Sequence, residues 1–288
     1  MYNMVDKLLV VVVLYKKRLE DSSTYRSLQA SLADCGQQAE LYVYDNSPAK
    51  AEFQIRSDQF RITYISDTAN SGISKAYNAA AAYAMKQHKE WLLLFDQDSN
   101  LPLDYFDVMS DAVTKNDKHS LFVPVLKQDG RILSPCRFRF MKGSALKSIV
   151  YGPMSFMDVS IFNSGILVSL ALFNNAGGYN EAIKLDFSDH YFINQVKKVQ
   201  NEFVVLPVSI QHELSSHTND EGKITSRFKQ YCGGVRAYGS AVGGAPFLLF
   251  WTFLRSLKLT LTFRNPVFIG IFITYYILKN KQSDAASL

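Results

Sequence analysis

The chain has 288 residues, 48% hydrophobic and 20% charged, which is ordinary globular usage and excludes disorder or a fibrous repeat as the main state. Its net charge of +5 hides an asymmetry: the first 221 residues hold 22 basic and 25 acidic side chains, while from Gly222 onward nine basic residues face one acid, Asp284. A mildly acidic body with a basic, apolar tail does not look like a nucleic-acid binder, whose basic residues stripe the folded face, and it points to an anionic membrane surface.

Leu8–Tyr15 is β-branched and apolar on both faces, which predicts a buried central strand of a parallel sheet. It is too short to span a bilayer, and Lys16-Lys17-Arg18 follow without a small-residue cleavage pattern, so no signal peptide is expected. Residues 21–35 carry helical spacing. Glu40–Tyr44 predicts a second strand, ended by the turn Asp45-Asn46-Ser47-Pro48, and Arg61–Ile65 a third. Asn70-Ser71-Gly72 leads into a helix over Ile73–Gln87, and Trp91–Phe95 is a fourth buried strand closed by Asp96-Gln97-Asp98-Ser99. Strand and helix alternate, which argues an open α/β sheet with ligands at the carboxyl ends of its strands. Strands are expected at Leu121–Leu126, Arg131–Pro135, Phe156–Ile161 and Phe203–Ile210, and a helix over Phe187–Val199. Cys35, Cys136 and Cys232 are too few and too widely spaced for a disulfide framework or a zinc ribbon, so a reducing cytosol is the expected compartment.

The turn after the first strand has no glycine and no P-loop occurs, which argues against nicotinamide and P-loop phosphate chemistry. Two carboxylates at i and i+2 where a buried strand emerges, Asp96 and Asp98, are costly to hold together unless a cation or donor neutralises them. Hard divalent ions such as Mg²⁺ or Mn²⁺ take such oxygen ligands and often share a phosphate; the bland reading is a solvated turn. Asp45 is placed either to accept from a pyrimidine ring N–H or to close an Asx turn. Gly72 permits a close approach at a helix start, where free N–H groups and Lys75 favour an anion, and Asn78 lies two turns further on; the bland reading is a capped helix. His212 follows a strand, either as a ligand or as a hydrogen-bonded surface residue, and its spacing to His217 is not that of a zinc helix.

The order of a Val-rich strand, Asp45-Asn46-Ser47, Asn70-x-Gly72-Ile73-x-x-Ala76-x-Asn78 and Asp96-x-Asp98 resembles glycosyltransferase family 2, in particular the rhamnosyltransferases of bacterial surface polysaccharides. Asn163-Ser164-Gly165, Phe173-x-x-x-Gly177-Gly178-Tyr179-Asn180-Glu181, Leu185–Phe192 and Arg227-x-x-x-Tyr231-x-x-x-x-Arg236 resemble its later segments. The resemblance covers about residues 7–240. It implies a GT-A fold, with a nucleotide-sugar-binding half (1–99), an acceptor half (100–240) and an apolar, basic helical tail (241–288).

The resemblance implies inverting transfer of a sugar, in the closest branch rhamnose, from a dTDP-, UDP- or GDP-linked donor to a hydroxyl of a glycan or lipid-linked acceptor. In its terms Asp189 is the general base, with Asp186 competing for that role. Asp98 and His212 hold Mg²⁺ or Mn²⁺. Tyr15, Asp45, Asn70, Gly72, Lys75, Asn78, Asp96 and Arg236 contact the donor. Where relatives often carry a second acid, this chain has Tyr191. Two other classes fit a similar sheet: a nucleotidyl- or phosphosugar-transferring enzyme, and a non-catalytic carbohydrate-binding scaffold. Neither apolar run in 246–280 reaches the roughly 20 residues a span needs. The tail is expected to form interfacial helices with Arg255, Lys258 and Arg264 snorkelling, or else to cover the domain's own core or a dimer interface. The expected location is the cytoplasm, peripheral on the inner face of the cell membrane.

Overall fold

The computed structural model describes residues 4–49, 56–212 and 220–278; His217 and the end of the basic tail lie outside them. The first half runs β1 (Leu8–Leu14), α1 (Ser23–Asp34), β2 (Ala39–Asp45), β3 (Phe60–Ser66), α2 (Ile73–Lys86), β4 (Trp91–Asp96), β5 (Ser99–Asn100) and α3 (Tyr105–Lys115). The second half runs β6 (Leu121–Gln128), β7 (Arg131–Ser134), β8 (Cys136–Arg139), β9 (Lys142–Ala145), β10 (Gly152–Ser155), β11 (Val159–Ser160), β12 (Ile166–Ser169), α4 (Leu170–Asn175), α5 (Ser188–Val196) and β13 (Glu202–His212). Three helices follow: α6 (Glu221–Val242), α7 (Ala245–Phe263) and α8 (Val267–Ile271), the last continued by a π-helical turn over Phe272–Ile277.

One sheet carries the strand order β10-β13-β6-β12-β4-β1-β2-β3. Strands β1, β2, β3 and β4 are mutually parallel. Strand β1 is buried along its whole length because both faces are covered: Leu9, Val11 and Val13 pack under α2, and Leu8, Val10 and Val12 lie on the side of α1 and α3. That is the physical reason its sequence reads as continuous apolar residues instead of alternating ones. The register sets Leu14 beside Asp45 and Val13 beside Asp96, so both acids emerge at one rim.

Strand β12 runs antiparallel to both β4 and β6, and β6 is parallel to β13. Two reversals therefore restore the direction of β4, and the carboxyl end of β13 arrives at the same rim. Strand β5 pairs antiparallel there, with Ser99 opposite His212.

The expected α/β architecture is present, with local differences. Helix α3 was not expected, although Tyr105, Phe106, Met109 and Ala112 form its buried stripe. Of the strand expected over Phe156–Ile161 only β11 (Val159–Ser160) forms, after a turn at Met157–Asp158, and β8, β9 and β11 make a separate three-stranded sheet. The apolar run Ile166–Phe173 divides into β12 and α4 at Ser169, whose side chain caps the Leu172 N–H. A third cluster, including Ile183, Phe228, Tyr231 and Phe268, fastens the C-terminal helices to the body.

Candidate active site

At the rim, Gln97 holds the end of β1 with both amide atoms: its Oε1 accepts from the Tyr15 N–H at 2.8 Å and its Nε2 donates to the Tyr15 carbonyl at 3.3 Å. Ser47 Oγ accepts from the Lys16 N–H at 2.7 Å. Asp45 is buried; it closes an Asx turn through the Ser47 N–H at 2.8 Å and accepts from the Tyr64 hydroxyl at 2.5 Å. Burial, then this carboxylate, pushes the Tyr64 phenol well above its ordinary value. Asp67, which the sequence reading passed over, is acid-strengthened: burial opposes ionisation, but hydrogen bonds from Ser71, Tyr44 and Ala69 outweigh it.

The acids meet in the centre. Asp96 Oδ1 accepts from Tyr77 OH at 3.2 Å, and the Asp96 backbone is tied to Ser164 and Thr24. Burial raises its carboxyl to about 6; Asp98 and Asp189 push the same way, while His212 and the Tyr77 hydroxyl oppose them. The Asp96 carboxyl, at the end of β4, thus feels the charge of Asp98 in the following turn, of His212 at the end of β13 and of Asp189 in α5. Asp189 stands in the first turn of α5 and is itself raised by burial, with Asp186 adding to the shift and His190 opposing it through charge and a 2.7 Å backbone N–H bond. The Tyr77 and Tyr179 phenols, first by burial and then through Asp96 and Asp189, are also held high.

Ser99 is the unanticipated hub. Its buried Oγ lies 2.7 Å from Ser164 Oγ and 2.9 Å from His212 Nδ1. A histidine oriented through one ring nitrogen presents the other to a ligand, the arrangement metal-binding imidazoles adopt. Among the described residues no group of three or more His, Cys, Asp or Glu side chains is gathered closely enough to hold a metal. Asp98 and His212 offer two donors, which suits an ion that completes its shell with water and phosphate oxygens.

The other side chains expected at the donor make these contacts within the chain. Gly72 has φ of 100°, and a Cβ there would come within 2.7 Å of Lys184 Cβ. The Gly72 N–H donates to Asn46 Oδ1 at 3.2 Å, the Ile73 N–H to the Lys184 carbonyl at 2.8 Å, and Ser74 Oγ to the Ile183 carbonyl at 2.5 Å. The start of α2 thus docks on the 183–184 segment instead of forming an open anion cradle. The Asn70 N–H donates to the Asp67 carbonyl. Lys75 pairs with Glu181 at 3.1 Å. Asn78 clamps the Tyr179 backbone, accepting from its N–H and donating to its carbonyl, both at 2.9 Å. Arg236 donates to the Tyr275 carbonyl at 2.8 Å, so it fastens the C-terminal helices. Asp186 is ion-paired with Arg227 at 3.1 Å.

Residues 10–145 match the family model described as Glycosyl transferase family 2. The matched segment, just under half of the chain, carries Asp45, Asp96 and Asp98, and the sheet it helps to build has the GT-A architecture. No curated protein matches. Among solved structures, S. aureus TarS 1-349 in complex with UDP-GlcNAc is 14% identical with a TM-score of 0.51, over 97% of this chain and 77% of that one. TarS 1-349 gives 14% and 0.50, over 94% and 81%. Its complex with UDP gives 14% and 0.48, over 80% of this chain and 65% of the length of that one. Likeness at this identity shows the fold.

Proposed function

We propose that the protein is an inverting glycosyltransferase that moves a hexosyl unit, rhamnose in the reading closest to its motifs, from a nucleoside diphosphate sugar to a hydroxyl of a glycan or lipid-linked acceptor. The observation that carries this reading is the rim where β4 ends in Asp96 and the Asp98 turn, and where β13 brings His212 opposite Ser99, with Asp189 of α5 acting on the Asp96 carboxyl. The base and ribose of the donor lie along the Tyr15–Asp45 edge, where Asp45 is already fixed by Tyr64 and Ser47. Lys75, Asn78 and Arg236 are held by other protein groups and are not part of the proposed contact set.

Asp189 takes the proton of the acceptor hydroxyl while that oxygen attacks the anomeric carbon from the face opposite the leaving group. The bond from that carbon to the diphosphate oxygen breaks, and the nucleoside diphosphate departs with the electron pair. Burial that lifts Asp189 makes it a better base than an exposed carboxylate, and a positioned base contributes typically ~10²–10⁴-fold. Asp186 is neutralised by Arg227, which favours Asp189 of the two. Asp98 and His212 would hold Mg²⁺ or Mn²⁺, which when bound supplies charge neutralisation for the diphosphate. Ser99 fixes the ring of His212 for that task.

The test pairs binding with turnover. UDP, dTDP and GDP are compared with Mn²⁺ in a melting assay, starting with UDP because the TarS structure of the same fold is a complex with UDP-GlcNAc. Asp189→Asn is expected to keep the nucleotide-induced melting shift and to lose transfer by about 10²-fold or more. Turnover within a few-fold of the parent enzyme would remove Asp189 from the mechanism.

A further inference from the structure

Helix α7 is built inside out. Its buried stripe is Leu248, Thr252 and Ser256, two of the three bearing hydroxyls. Its outer side carries Phe247, Phe250, Leu254 and Leu261, exposed by 46%, 52%, 39% and 78%. At 3.6 residues per turn these positions, with Phe253 and Leu257 between them, cover about a third of the circumference without a polar side chain. Lys258 borders that arc, while Arg255 lies further round with its guanidinium 4.0 Å over the Tyr231 ring. A water-facing helix shows the reverse distribution.

The body extends the same surface. Phe140, at the tip of the β8–β9 hairpin and 67% exposed, lies against Phe247 with ring centroids 5.3 Å apart. The Trp251 indole donates to the Phe140 carbonyl at 2.9 Å, and Lys142 Nζ sits 4.1 Å over the Trp251 ring. Met141 fills the space at Gly244, where a Cβ would come within 2.9 Å of its Cγ. On the other flank an open apolar groove of about 370 Å³ runs between α7 and the π-helical turn, lined by Leu249, Phe253, Phe272 and Ile277 among others.

We propose that this surface lies in the plane of an anionic lipid bilayer, with the outer arc of α7 and Phe140 among the acyl chains and Lys142, Lys258 and Arg264 at the headgroups. Charge selects this occupant. The region from Gly222 onward carries nine basic residues and one acid. Anionic headgroups complement that charge, whereas a second copy of the chain would oppose it with its own. Among the described residues no helix is long and apolar enough to cross a membrane. An in-plane helix needs only one apolar face.

Resting on the transferase reading, the surface also gives the acceptor a place. Strand β8 carries Phe138, stacked 4.1 Å from the ring of His190, the neighbour of Asp189. Phe140 is two residues along the same chain. The base is therefore one short hairpin from the bilayer face, and a hydroxyl on a lipid-anchored glycan arrives on the side where the base stands.

Flotation of the full chain with vesicles of phosphatidylcholine alone, or with added phosphatidylglycerol, tests this. Binding is expected with phosphatidylglycerol and is reduced by high salt. Phe250→Asp with Leu254→Asp is expected to weaken partitioning about tenfold or more, since each carboxylate replaces a half-exposed apolar side chain. Lys258→Glu with Arg264→Glu is expected to abolish the preference for the anionic lipid with the melting temperature unchanged, which covers the case in which the first pair misfolds. Indifference to phosphatidylglycerol, parental flotation by either pair, or a dimer in sedimentation that Phe250→Asp dissociates would overturn the proposal. The UDP-dependent melting shift, read without vesicles, reports on the donor reading separately: its loss in the parent chain alongside intact flotation counts against the transferase reading alone.

Discussion

Asp96 is held in a position that disfavours its charge, and Asp96→Asn measures that penalty. Its carboxyl is raised from 3.8 to about 6, first by burial and then by Asp98 and Asp189. Below the unfolded-state value the group is protonated in both states and the folded chain loses nothing. As pH rises past the unfolded-state value the unfolded chain ionises first, so stability falls until the folded-state value is reached and is level above it. At neutral pH the deficit is about 3 kcal/mol. Asn keeps an acceptor for the Tyr77 hydroxyl but brings a buried amide N–H₂ that must find a partner of its own, which leaves an expected gain of about 1–3 kcal/mol near pH 7.5. Urea denaturation without added metal should show the variant more stable there, with the gain shrinking to a few tenths of a kcal/mol by about pH 4. A variant less stable than the parent at neutral pH, or a gain indifferent to pH, would refute the electrostatic account of the cleft. Added Mn²⁺ and UDP should erase the difference, because a bound cation inverts the balance among neighbouring carboxylates.

Gly72→Ala forces a side chain into a backbone conformation with φ of 100° and against Lys184. Strain and overpacking together are expected to cost about 2–6 kcal/mol, read as a lower urea midpoint; a midpoint within error of the parent would show that the Lys184 segment yields freely. Ser99→Ala strips His212 Nδ1 and Ser164 Oγ of a shared buried partner. It is expected to lower stability by about 1–3 kcal/mol and to weaken the Mn²⁺-dependent part of a UDP melting shift about 10–100-fold in metal concentration. An unchanged metal titration would separate His212 from the ion.

The start of α2 is a motif whose form is legible in the sequence while its neighbours are not. Asn70-x-Gly72 marks a tight helix entry, and glycine is needed there. What approaches Gly72 closely is the Lys184 backbone, which lies far along the chain and has no signature of its own. Asn78 likewise faces inward across the helix, where it clamps Tyr179. On α6, Gly234 lets the helix approach the Asp186 carbonyl, Arg227 pairs with Asp186, and Arg236 turns towards Tyr275.

The sequence by itself determined the parallel strands, the position of the Asp96-x-Asp98 turn at the end of one of them, and the basic, apolar character of the tail. These are local properties: two covered faces demand an unbroken apolar run, and a strand end demands polar turn residues. Only the tertiary structure decided which distant groups share the rim. The antiparallel β12 brings His212 back to Ser99, and α5 carries Asp189 within reach of Asp96. It also decided that the hydroxyls of α7 face inward and its phenylalanines outward, because composition fixes what a helix contains and packing fixes which side it buries.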